Sequence, residues 1–183
     1  MSALVDLIVG QARNNAWANH RLLGACRALT PEEFAAGRTG FFPSLRATLN
    51  HILWVDTYYI DALEHDPTVL ARYHDPAPDL PDAGRLYEAQ RASDRRLFAF
   101  CEHQTEASLA EGLVLPRPNR TPPPTSVASI LEHLFQHQTH HRGQAHAMLS
   151  GSSVKPPQLD DFFLAGEEHL RRDELRALGL PET

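Results

Sequence analysis

Apolar side chains recur every three or four positions through five stretches of the chain, with polar positions on the opposite side of a 3.6-residue turn. In the first stretch Leu4, Leu7, Ile8, Ala12, Leu22, Leu23 and Cys26 form one stripe, which predicts a helix over about 3–28. Thr30-Pro31-Glu32-Glu33 then fits a capping box with proline in the first turn, so a short helix should start there. Ser44, after Pro43, is placed to cap a second long helix that carries Leu45, Leu49, Ile52, Leu53, Tyr59, Ile60 and Leu63 to about His65, just before Asp66-Pro67. A third runs from about 81 to 103 on Leu86, Ala89, Leu97, Phe100 and Cys101, with Arg95 and Arg96 on its solvated side. Thr125 or Ser126 caps a fourth, whose stripe of Val127, Ile130, Leu131, Leu134, Ala145, Met148 and Leu149 ends at Gly151. A last helix is predicted over about 158–178.

Prolines mark the boundaries. They fall at 31, 43, 67, 76–81, 116–124, 156–157 and 181 and leave the helical windows free of rings that would break them. The segment 112–124, GLVLPRPNRTPPP, offers a short strand at Leu113 to Leu115 and is otherwise a long loop. Nothing alternates with period two for long enough to build a sheet, and no internal repeat is present. The expected fold is all-α: one domain over 1–183, an up-and-down four-helix bundle with additional short helices and a C-terminal helix.

Charge removes several function classes. Seventeen basic residues against 23 acidic ones give a net −6, and the basic residues are dispersed, so no field favours a nucleic-acid backbone or an anionic membrane. No apolar run is long enough to span a bilayer and no signal-like segment opens the chain, which makes a cytoplasmic protein the expectation. Cys26 and Cys101 lack metal-motif spacing and read as buried thiols. Histidine stands out: of eleven, His133, His137, His140, His141 and His146 lie in the fourth long helix.

Two of these occupy core positions. The stripe Ile130, Leu134, His137, His141, Ala145, Met148 keeps its three- and four-residue steps straight through the histidines. At i and i+4 their Cβ atoms stand about 5–6 Å apart, so both imidazoles can converge on one ion. A catalytic site of this kind has three protein ligands and an open position, so a third donor should come from another helix. His51, flanked by apolar Leu49, Ile52 and Leu53, is the candidate, because His20, His65, His74, His103 and His169 stand in charged or terminal surroundings that suit solvent. His133 lies one turn back and falls at the rim, either packing behind the ligands or completing a closed shell. His140 points to the other face and His146 falls off the stripe. Gln144 lies nearly above His137 and could orient a metal-bound water. Glu-x-x-His pairs, HExxH, Gly-rich phosphate loops and a GxSxG elbow are all absent, so no glutamate base is built into the motif.

Three segments together resemble the DinB family: Asn15-Ala16-Trp17-Ala18-Asn19, the run Ser44 to Ile52 (SLRATLNHI), and His133 to Gln144 (HLFQHQTHHRGQ). Despite its damage-inducible name this family is unrelated to the similarly named DNA polymerase. It groups with bacterial thiol transferases and mycothiol-dependent maleylpyruvate isomerases on a four-helix bundle. The resemblance implies a divalent metal held by the histidine of the LNHI segment, His51, and by two histidines four apart, His137 and His141. It favours zinc or nickel, with iron or manganese as further choices, and it implies a homodimer.

Two readings of function follow. In the first, the ion binds a low-molecular-weight thiol as thiolate and presents it to an electrophile, giving S-transfer or isomerisation; the same ion could instead activate water to hydrolyse an ester or amide. Arg142 would then hold an anionic substrate group or make a structural ion pair, and Tyr58 would line the pocket or fill the core. In the second, a stress-associated bundle carries a structural metal, or none, and acts through protein interaction; a closed four-ligand site would favour it.

Overall fold

The structure is a computed structural model that describes residues 2–74, 78–160 and 166–181. Four long helices carry it: α1 (Ala3–Cys26), α3 (Leu45–Leu63), α5 (Ala83–Glu102) and α7 (Val127–Ser150). The short helices are α2 (Pro31–Ala35), α4 (Val69–Arg72), α6 (Glu106–Ala110) and α8 (Arg172–Leu178), with one 3₁₀ turn at Glu168–Leu170. Each long helix begins where a hydroxyl or carboxylate satisfies an otherwise unpaired first-turn N–H. Ser44 accepts from Ala47 N at 3.1 Å, Asp82 from Arg85 N at 2.8 Å and Ser126 from Ser129 N at 3.2 Å. Thr30 and Glu33 form the expected capping box on α2, and Thr105 and Ser108 form a second one on α6, which the hydrophobic pattern had not marked.

The all-α four-helix bundle is therefore present, and side-chain pairs give its helix directions. His20 meets Tyr87 while Asn15 meets Asp94, so α1 and α5 are antiparallel. Thr48 meets Met148 while Tyr59 meets His133, so α3 and α7 are antiparallel too. Asp56 meets Gln90 while Glu64 meets Arg96, which makes α3 and α5 parallel. The antiparallel contacts are thus α1·α5 and α3·α7, while α3 and α5, consecutive among the long helices, run the same way. The parallel pair is joined by a long connection, 64–82, that brings the chain back to the starting end.

Polar side chains divide the core into two layers. One apolar cluster holds Val5, Trp17, Tyr59, Leu97, Ile130 and Leu134; the other holds Leu22, Leu45, Leu49, Leu86, Ala145 and Leu149. Burying each of the larger side chains contributes on the order of 1.5–3 kcal/mol. Between them lie Asn15, Asn19, Asp56, Gln90, Asp94, Gln138 and Arg142, all buried. Both cysteines are buried and unpaired, as expected, and burial pushes each thiol up to about 12.

Two expectations need correction. The strand is Gly112–Leu113, antiparallel to Thr125–Ser126, so Leu115 is not part of it. The C-terminal helix does not span 158–178: residues 158–160 are non-helical, 161–165 lie outside the described residues, and α8 covers only Arg172–Leu178. Gly166, at φ 89, takes a left-handed conformation that a continuous right-handed helix cannot contain. α8 docks through Leu175 and Leu178, and its Glu174 accepts from the Trp17 indole at 2.5 Å.

Candidate metal centre

α3 presents His51 and α7 presents His137 and His141 across the antiparallel contact, at the level of the polar layer. The Nε2 atoms of His51 and His137 are 3.0 Å apart. Ring centroids are 5.0 Å (His51 to His137), 4.7 Å (His51 to His141) and 4.5 Å (His137 to His141). One nitrogen from each residue lies within 4.8 Å of the other two. Two imidazole nitrogens sharing a tetrahedral zinc at bond lengths near 2.0–2.1 Å stand about 3.3 Å apart, so the His51–His137 spacing already suits one ion.

The protonation states fit as well. Burial, with the charge of His141 adding to it, pulls His51 down to about 4, and burial with its histidine neighbours pulls His137 down to about 3. Burial also lowers His141, against its hydrogen bond to Gln144, which raises it. At neutral pH all three imidazoles are uncharged and carry a lone pair, the state a metal requires. The Nδ1 of His137 is buried with no partner among the described residues. On chemistry and spacing alike, the donor set fits a divalent ion.

Neighbouring side chains hold the rings. Gln144 Oε1 accepts from His141 Nδ1 at 2.9 Å while its Nε2 donates to His140 at 3.1 Å. This amide orientation leaves the Nε2 of His141 as the free lone pair. Gln144 therefore steadies a histidine rather than standing over His137. Phe42, from the loop before α3, packs on His51 at 4.4 Å and on His141 at 5.6 Å. The sequence reading passed over it, although its place just before the Ser44 cap puts it beside the first turns of α3.

Other expectations resolve differently. Arg142 faces the interior, where Nη1 donates to Asn15 Oδ1, to Asn19 Oδ1 at 3.2 Å and to Gln138 Oε1 at 3.1 Å. Burial pulls it down to about 10 against the opposing pull of Asp94 and Asp56. His133 is exposed at the rim, its ring 5.5 Å from Tyr59 and 6.3 Å from His137, outside the three-nitrogen cluster. His140 was expected on the far face; it is exposed, yet its ring centroid lies 4.9 Å from that of His141. His20 was expected in solvent but is half-buried, bonded to Tyr87 Oη at 2.7 Å. Its place on α1, against a tyrosine 67 positions away, is a tertiary contact with no local signature.

Two cavities reach the histidines. One, of about 240 Å³, is lined by His137, His133, Tyr58, Tyr59 and Arg117; Tyr58 also donates to Pro116 O at 2.6 Å. The other, of about 550 Å³, is lined by His51, Phe42, Asn50, Thr57 and Leu80. Trp54 and Tyr73, packed edge to face at 5.6 Å, line both.

Known proteins share this arrangement of helices. A DinB-like protein from Bacillus cereus ATCC 10987 superposes with a TM-score of 0.58 at 15% identity, covering 78% of this chain and 90% of that one. A DinB-like protein from Bacillus subtilis gives 0.62 at 14% identity, covering 85% and 99%. In sequence, Protein DinB of Bacillus subtilis strain 168 is 24% identical over 139 residues, which is 74% of this chain and 80% of the relative. The model of the DinB family matches residues 3–172, nearly the full length of the bundle, and the chain belongs to that family.

Proposed function

We propose that this protein is a metal-dependent enzyme that transfers a low-molecular-weight thiol to an electrophile, with His51, His137 and His141 holding one divalent ion, zinc or nickel. The observation that carries the reading is the convergence of three uncharged imidazoles with one cavity reaching His137 and another reaching His51, and with His133 held outside the cluster. A bound ion would supply Lewis acidity, favouring the thiolate form of a thiol at neutral pH. Two cavities suit a reaction with two organic partners better than one whose second partner is water. A closed four-ligand site, which would favour a structural metal, is not formed by the described histidines.

The chain's own residues divide the remaining work. Gln144 fixes the ring of His141, and Phe42 shields the faces of His51 and His141 from water. Trp54 and Tyr73 form the partition between the cavities, so each reactant approaches the histidines from its own side. The homodimer that the family resemblance implies belongs to the same proposal, and sedimentation equilibrium tests it. No helix among the described residues is long and apolar enough to cross a membrane, which agrees with a reaction in free solution.

The test is loss of free thiol against a panel of electrophiles, using protein freed of metal and reloaded with zinc or nickel. Metal-dependent thiol consumption, abolished in His137→Ala, is the expected result. Hydrolysis of activated esters without thiol consumption would replace transfer with hydrolysis. Stoichiometric metal with neither activity would move the protein to the non-catalytic reading.

A further inference from the structure

The smaller cavity carries a feature that the metal centre does not use. Arg117 sits between Pro116 and Pro118, whose rings restrict the backbone on both sides, and Tyr58 anchors the Pro116 carbonyl at 2.6 Å. Its guanidinium carbon lies over the Tyr58 ring, 5.1 Å from the centroid, so an aromatic face supports the charge at the cavity wall. Among the described residues it has no carboxylate partner, and no acidic residue lines this cavity. Arg72, the cation of the larger cavity, offers a contrast: it is ion-paired with both Asp61 and Asp66. Of the two arginines that line these cavities, Arg117 is the one whose planar set of donors has no carboxylate partner among the described residues.

From this geometry we infer that the smaller cavity is a carboxylate-recognising subsite, in which Arg117 binds the anionic end of a small, flat or aromatic carboxylate whose body lies against Tyr58 and points toward His137. A guanidinium meets a carboxylate through two parallel hydrogen bonds, which fixes the plane of the ligand as well as its position. The volume, about 240 Å³, lies at the small end of ligand pockets and admits one ring-sized body. The aromatic walls reward a flat apolar surface. This inference rests on the proposed transfer reaction for its meaning, since it makes the electrophile a carboxylate, but the binding itself needs no metal.

The experiment uses the full chain, stripped of metal, with benzoate as probe and benzamide as its uncharged counterpart. Binding is followed by ligand-observed NMR and by the fluorescence of Trp54; the other tryptophan, Trp17, is fully buried. Benzoate should bind saturably and benzamide more weakly by about tenfold or more. Arg117→Gln should erase that preference, while Arg117→Lys, which keeps the charge but not the paired geometry, should retain part of it. Circular dichroism checks that both variants fold. Equal binding of the two probes, absence of saturable benzoate binding, or a preference unchanged in Arg117→Gln would each overturn the subsite. Benzoate binding that appears only with metal loaded and survives Arg117→Gln would also overturn it, by assigning the carboxylate to the ion. The same titration on His51→Ala separates the two claims: loss of metal with benzoate preference retained would leave the subsite standing even if the metal reading failed.

Discussion

Two polar pairs on α7, each spaced i to i+4, serve opposite ends. His137 lines the smaller cavity and converges with His141 on His51, and Gln138 and Arg142, one residue on and so rotated by about 100°, face the core. The inward pair belongs to a network in which nearly every group has a partner. Asp56 accepts from Gln90 at 2.7 Å and from Gln138, and Asp94 accepts from Asn19 at 2.9 Å, Gln90 at 3.1 Å and Asn15 at 3.3 Å. The Arg142 guanidinium, bonded to neither carboxyl, offsets their charge from a distance, and burial still pushes Asp94 up to about 7 and Asp56 well above the usual carboxylate range. The Oδ1 of Asp56 has no hydrogen-bond partner among the described residues, so nothing on that side offsets the cost of burying its charge. The outward set does the reverse. It crowds three like donors together, with the Nε2 atoms of His51 and His137 turned toward each other and, among the described residues, no anion or hydrogen-bond network absorbing their lone pairs. Satisfied polarity holds helices in register, whereas crowded, unsatisfied lone pairs are what a cation can use.

Removing Arg142 tests this contrast most severely. Arg142→Met leaves buried carboxyls without their cation and should lower unfolding stability by about 3–5 kcal/mol in urea titrations of metal-free protein, while His137→Ala should change it by about 1 kcal/mol or less. Equal losses from the two would erase the distinction. Metal binding should show the opposite ranking. In wild type, zinc at a hundred times its dissociation constant should stabilise the fold by about 2.7 kcal/mol, and His51→Ala, His137→Ala and His141→Ala should each lose both the bound equivalent and that stabilisation. Metal retained in all three by mass spectrometry would refute the ligand set.

Gln144→Ala sharpens the comparison from within the site. Without the amide on Nδ1, His141 can rotate and change tautomer, so zinc affinity measured by competition with a chelator should fall about 10- to 100-fold with the fold intact. An unchanged affinity would make Gln144 incidental.

The smallest effect expected is the pH dependence of metal-free stability, because the two regions pull in opposite directions. Asp94, raised to about 7 in the folded protein, holds a proton that an unfolded aspartate releases near pH 3.9, so it makes stability fall as pH rises between about 4 and about 7. His51 and His137, depressed to about 4 and about 3, stay neutral where an unfolded histidine protonates below about 6.5, so they make stability fall as pH drops below that value. The two slopes oppose each other through the range from about 4 to about 7, so the carboxylate is isolated by comparison with Asp94→Asn, which keeps the histidines. The wild-type urea midpoint measured relative to that of Asp94→Asn should decline from about pH 5 to about pH 8; a difference that does not change with pH would show that the Asp94 carboxyl is already ionised.

Hydrophobic period, proline placement and capping residues settle which segments become helices, because those signals act over a few residues of chain. Thr30, Ser44 and Ser126 cap where their local patterns place them, and the four-residue step between His137 and His141 puts both on one face whatever the helix packs against. Packing across the bundle decides the rest. Nothing near Arg142 in sequence announces that Asn15 and Asn19 await it on α1, and a glutamine beside a histidine does not show which of the two faces inward. The C-terminal segment reads as one long helix until Gly166 takes a positive φ, and its surviving piece is held by Leu175, Leu178 and the Glu174 contact with Trp17. That the nitrogen of His51 stops 3.0 Å from that of His137 depends on the register of α3 against α7. Local sequence determines faces; only the long-range burial of those faces determines which ones meet.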